Sequence, residues 1–217
     1  MQSPSKPITS LSDRKKLMVR ETILDAAERF LRSDVAGDLT MRGLAQEAGV
    51  SLGTLFNHFG SKGGILAGLS DRMLETIAAV YRDALTNEDP MQRVFAIGRA
   101  GAQVLLSDVK YYRYICRSIA IEGDLNAVGS ERQSAEKLWC RALASDPFLR
   151  ADVAGLHDTY VPQQLSVVFR GVLVMWVTGM ISDANFARAI ETSLAGVMLG
   201  LVEERQRPAL IRRMVRF

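Results

Sequence analysis

The sequence predicts an all-α protein of about nine helices, with a three-helix N-terminal domain followed by a larger helical C-terminal domain. Three observations predict it. Val, Ile and the aromatic residues fall mostly at helical spacing, and Asn-Gly or Asp-Gly hairpin turns are scarce. Residues 40–62 (TMRGLAQEAGVSLGTLFNHFGSK) read as two short helices around a tight turn. Residues 86–90 (TNEDP) form the clearest internal break. With 217 residues, 48% of them apolar and 24% charged, the chain holds one large core or two modest ones.

Residues 1–11, rich in Ser, Pro and Lys, read as a disordered basic leader. A first helix starts near Ser12 or Asp13 and runs to Ser33. Leu17, Ile23, Leu24, Ala27, Phe30 and Leu31 line its inner face, with Arg14, Lys15, Arg20, Asp25 and Arg29 outside. A loop over 34–39 turns at Gly37. Thr40 then caps a second helix with Met41, Leu44, Ala45 and Ala48 on one face. Gly49 stands where the chain needs positive φ, Val50 fills the gap between helices, and Ser51 caps the next helix, Leu52 to Phe56. This is the outline of a helix-turn-helix, whose second helix enters the DNA major groove. Ser61 caps a long linking helix over 62–85, with Ile65, Leu66, Leu69, Met73, Ile77 and Val80 inward. The predicted division is a helix-turn-helix domain over 12–62 (motif 40–59), the linking helix, and a C-terminal domain over 86–217. Within the latter, helices are expected over 90–107, 109–121, 130–144, 159–181 and 183–206, with breaks at 122–129 and at Asp146-Pro147.

Composition excludes several classes. A net charge of +3 is too small to mark a nucleic-acid binder, but over residues 1–20 five cations (Lys6, Arg14, Lys15, Lys16, Arg20) face one anion, Asp13. A basic arm beside a DNA-reading unit neutralises phosphates; a solvated leader accounts equally well for residues 1–11. Cys116, Cys140, His58 and His157 form no CxxC pair and no zinc-ligand spacing. No metal or disulfide is therefore expected, and the cysteine usage fits a reducing cytoplasm. No cofactor motif, HExxH, GxSxG or P-loop occurs, which sets an enzyme aside. The N-terminus lacks an apolar signal core, and residues 171–181 are too short a run to span a bilayer.

The motif has a family likeness. Ala26-Ala27 and Phe30 are followed by Thr40, Leu44, Ala45 and Ala48-Gly49-Val50-Ser51. Gly53-Thr54-Leu55-Phe56, His58-Phe59, Ser61 and Lys62 complete the pattern. In register, these residues resemble the signature of the TetR family of bacterial transcriptional regulators, over residues 13–75. The C-terminal two thirds carry no motif. The resemblance implies a repressor that binds a palindromic DNA operator as a homodimer and is released by a small-molecule effector. Effector binding would shift the linking helix and tilt the two DNA-reading heads apart. Two alternatives stay open: a thiol- or redox-responsive regulator using Cys116 or Cys140, and a protein-interaction module without sequence-specific DNA binding.

The candidate DNA contacts divide by chemistry. Gly53 removes a side chain early in the reading helix and lets the backbone approach DNA. Thr54 offers a hydroxyl to a phosphate or base edge. Leu52 and Asn57 occupy the variable positions of the motif and are the candidates for sequence reading; Leu52 offers only apolar contact, such as to a thymine methyl. Arg42 suits a phosphate, a guanine or plain solvent. His58 is open to core, metal or phosphate readings; without Cys or His neighbours the metal reading is poor, and the resemblance implies phosphate. Lys62 brings an ammonium and a helix N-terminus to the backbone. Phe56 stands where many relatives have tyrosine, keeping the packing but losing a phosphate hydroxyl. Thr40 and Ser51 complete the set.

For the C-terminal domain, the apolar helices over 159–181 and 184–202 are expected to form the dimer through Leu165, Phe169, Val172, Trp176, Leu194, Val197, Met198 and Leu201. Gly171, Gly179, Ala195, Gly196 and Gly200 would allow close helix approach. Phe95, Tyr111, Tyr112, Tyr114, Trp139, Tyr160 and Met175 are the aromatic or flexible residues expected to line an effector pocket.

Overall fold

The computed structural model describes residues 10–33, 39–84, 89–121, 135–143 and 149–215. Among these the chain is helical, with no strand and one isolated antiparallel bridge, Leu149 to Val202. The predicted all-α class holds. The leader over 1–9, the Gly37 turn, residues 86–88, the 122–129 break and Asp146-Pro147 lie outside the described residues.

The chain divides into two compact units after Leu69. In the first, α1 (Leu11–Arg32) starts at Ser10, whose side chain accepts from the Asp13 amide at 3.0 Å. Ile23, Leu24, Ala26, Ala27 and Leu31 point inward. Leu17, expected on that face, is 44% exposed, because residues 11–18 meet no covering element within the unit. The chain continues through α2 (Met41–Glu47), α3 (Leu52–Phe59) and α4 (Lys62–Ala84). Leu44, Leu55, Ile65 and Leu69 are fully buried and complete this small core. Helix α4 runs on beyond Leu69, with Met73 and Ile77 buried and Val80 half-buried.

The second unit holds α5 (Pro90–Ser107), α6 (Val109–Ile121), α7 (residues 135–143), α8 (Tyr160–Val177), α9 (Asp183–Leu199) and α10 (Arg207–Val215). Asp89 caps α5, accepting from the Met91 amide at 3.0 Å with Pro90 at the first position. Two glycines of α5 set how closely the other helices approach. A methyl at Gly98 would lie 2.7 Å from Leu194, and one at Gly101 would lie 2.8 Å from the Phe169 ring. Helix α8 stops short of residue 181. Thr178 turns its amide back to Val174, and Gly179 takes φ 80°, ending the helix in the left-handed region. The run expected over 183–206 is likewise broken. α9 ends at Leu199, Leu149 bridges Val202, and a 3-10 turn at Glu204–Gln206 leads into α10. Pro208, in the first turn of α10, was the available signal for that new start.

Asp183, in the first turn of α9, gathers three helices. Its Oδ1 accepts from the Trp176 indole at 2.7 Å and from Arg113 at 2.6 Å. The Arg113 guanidinium lies 4.7 Å over the Trp176 ring, which stacks on Phe186 at 4.6 Å. Asp183→Ala leaves a buried indole N–H without its partner. It should lower unfolding free energy by about 1–3 kcal/mol in urea melts. An unchanged urea midpoint would refute this linking role.

Candidate nucleic-acid interface

The helix-turn-helix is built from local hydrogen bonds. Thr40 caps α2, accepting from the Gly43 amide at 3.1 Å. Gly49 takes φ 65° in the turn, and Val50 is half-buried beside it. Ser51 caps α3, accepting from the Thr54 amide at 3.0 Å, and its hydroxyl lies 2.8 Å from the Thr54 hydroxyl. Thr54 is thus oriented by the cap and half-buried, with lone-pair capacity left for a further partner. At the far end Gly60, at φ 70°, returns its amide to Phe56 at 2.8 Å, and Ser61 accepts from the Gly64 amide at 3.2 Å.

These caps set the two faces of α3. Leu55 and Phe59 point into the core. Leu52, Gly53, Phe56 and Asn57 point out, and the two apolar members, Leu52 and Phe56, are 37% and 45% exposed. A methyl at Gly53 would meet only the Ser51 hydroxyl at 3.8 Å, so the fold itself does not require glycine there. Thr40, Arg42 and Ser51 are exposed, and His58 and Lys62 are half-buried at the far end of α3 and the start of α4. The ten candidate contacts therefore share one small unit, at helix ends and on the outward face of α3. What sequence reading missed is Arg20. Expected outside, it is half-buried, with its guanidinium 4.4 Å over the Phe59 ring.

Residues 23–69 match the family model described as bacterial regulatory proteins, tetR family. A transcriptional repressor, KstR of Mycolicibacterium smegmatis, is 25% identical over 192 residues, covering 85% of this chain and 89% of its own. Over residues 23–69, therefore, the chain is similar to bacterial regulators of the TetR type. Solved structures of TetR-family proteins share its fold. Thermus thermophilus FadR, solved with lauroyl-CoA, superposes with a TM-score of 0.69 at 20% identity, covering 85% of this chain and 96% of that one. A TetR regulator from Rhodococcus sp. RHA1 gives 0.62 at 17% identity, covering 82% and 97%. The TetR family consists of regulators rather than enzymes.

In the second unit, most of the side chains expected to line a pocket are buried. Phe95, Tyr111, Tyr112 and Trp139 are buried, and Tyr114 is half-buried. They pack on protein: Tyr111 on Tyr112 at 4.9 Å, Trp139 on Phe169 at 6.0 Å, and Phe95 beneath Arg213 at 4.3 Å. Tyr160 and Met175 are exposed instead. A groove of about 300 Å³ between α4 and α7 has none of the seven in its lining, which includes Leu74, Glu75, Lys137 and Arg141.

The residues expected at the dimer contact also lie mostly inward in the single chain. Leu165, Val172, Trp176, Leu194 and Met198 are buried within their own unit, and Phe169 fills the space opened by Gly101. Only Val197 and Leu201 keep partial exposure without such an inward contact. The outward residues of α8 are Tyr160, Val167, Gly171 and Met175; Gly196 of α9 and Gly200, just past its end, are also exposed. At Gly171, Gly196 and Gly200 an added methyl would meet nothing.

The two cysteines differ. Cys116 is buried, its thiol 3.9 Å from the Met73 sulfur. Cys140 is exposed on α7, and burial of its sulfur, followed by the charges of Glu136 and Asp158, pushes the thiol pKa up. That favours the unreactive protonated form. Among the described residues no helix is long and apolar enough to cross a membrane.

Proposed function

We propose that the protein is a cytoplasmic repressor that binds a palindromic operator as a homodimer and lets go when a small molecule occupies its second unit. The observation that carries the DNA-reading part is the outward face of α3. Leu52 and Phe56 remain exposed there beside a glycine the fold does not demand, so the face is shaped for something outside the chain. A duplex groove fits, because Leu52 and Asn57 then reach base edges while Thr40, Thr54, His58 and Lys62 reach phosphates. Selection from random duplex DNA tests the reading. Enrichment of a palindrome with half-sites about one helical turn apart, bound with a steep salt slope, is the expected result. Failure of a folded dimer to enrich any sequence would favour an interaction module.

Pairing of two chains is assigned to the outer stripe of α8 and α9. Val167 and Met175 are 55% and 40% exposed there, and the bare glycines permit close helix contact. Val167→Asp places a charge in that stripe without touching the core. It should yield a folded monomer in sedimentation runs, with operator affinity falling at least about tenfold because two linked half-sites are lost. A dimer that survives the substitution would move the interface elsewhere. Release by effector requires that the ligand bind the non-DNA conformation more tightly than the DNA-bound one.

A further inference from the structure

The basic residues of α1 do not all do one thing. Arg14, Lys15 and Lys16 are exposed, whereas Arg20 turns inward to where α3 ends. The last carbonyls of a helix have no partner within it. In α3, the Phe56 carbonyl accepts from Gly60 and the Phe59 carbonyl from Ser61, both at 2.8 Å. The His58 carbonyl faces Arg20 Nη1 at 3.5 Å, a long contact but one between a cation and the negative end of the helix dipole. The same guanidinium lies 4.4 Å over the Phe59 ring. Gly68 of α4 forms the floor of this seat. A methyl there would lie 3.3 Å from Arg20 Nη2, 3.3 Å from Phe59 and 3.0 Å from Leu24.

We propose that Arg20 is a positioning residue for DNA reading: it fixes the C-terminal end of α3, and with it the angle of the reading face, instead of binding a phosphate. The proposal rests on α3 being the DNA-reading helix. Its two attachments act on consecutive residues, His58 and Phe59, one by charge and one by ring contact. Only a planar cation serves both, which separates arginine from lysine here.

The test uses the full-length protein, the duplex selected from random DNA and a scrambled duplex of equal length. Kd is measured on each from 50 to 200 mM salt. Arg20→Met should weaken binding to the selected duplex about tenfold, as for a mismatched base pair, and leave the scrambled duplex and the salt slope unchanged. Arg20→Lys should not restore the selected-duplex affinity, although it keeps the charge. Gly68→Ala, which crowds the seat without altering any charge, should reproduce the selective loss, and it stands in if Arg20→Met fails to fold. A salt slope flatter by about one unit, with equal loss on both duplexes and rescue by lysine, would make Arg20 a phosphate contact and overturn the proposal. Unchanged affinity in Arg20→Met would also overturn it, as would a loss tracking only a lower folded fraction in thermal melts. If the wild type selects no sequence, the DNA-reading role of α3 falls first, before any variant is compared.

Discussion

Replacing Gly64 by alanine should destabilise the first unit by about 1–3 kcal/mol, the range for an overpacked site. The new methyl would collide with the carbonyl oxygen of Phe59, a backbone atom that no rotamer change can move aside. The contact sits where α3 hands over to α4, and Ser61 accepts from the Gly64 amide at the same place. Relief requires the end of α3 to shift, so DNA affinity should fall together with stability. Urea unfolding followed by far-ultraviolet circular dichroism checks the first part, and titration of the selected duplex checks the second. A Gly64→Ala protein with wild-type midpoint would mean that the two helix ends do not approach so closely.

Gly53→Ala should behave in the opposite way. The site has room for a methyl, and alanine is the better helix former, so the unit should gain up to about 1 kcal/mol. Operator affinity should nevertheless drop about tenfold or more, because the methyl would stand between the α3 backbone and the duplex. Melting temperature and Kd moving in opposite directions would be the signature of a residue kept for binding rather than folding. Equal affinity would show that the backbone does not come close to DNA at that point.

The first unit was legible because its instructions are local. Thr40 and Ser51 cap helices with bonds to the third residue onward, and Gly49 takes the positive φ its position in the turn demands. Arg20 was misread for the converse reason. A helical wheel separates faces by polarity, and it cannot reveal that the end of another helix lies over a charged face. In the second unit the most apolar positions of α8 and α9 suit a core and an interface equally by spacing alone. Leu165, Trp176 and Leu194 are fully buried within the single chain. Periodicity marks a residue as apolar without saying whose atoms cover it. The outward stripe is written in glycine, valine and methionine, a weaker signal than leucine and tryptophan. Among the aromatic set, Tyr111 packs on its neighbour Tyr112, and Trp139 of α7 packs on Phe169 of α8, a contact between helices that spacing along one helix does not reveal.

The division after Leu69 has an optical consequence. Every tryptophan and tyrosine of the chain lies beyond that point, and the first 69 residues absorb near 280 nm through none of them. The first unit is therefore dark in intrinsic fluorescence, while Trp139 and Trp176 report from the buried interior of the second. A ligand that quenches emission announces itself from the second unit. One aromatic residue introduced in the first would let both halves be followed in a single cuvette.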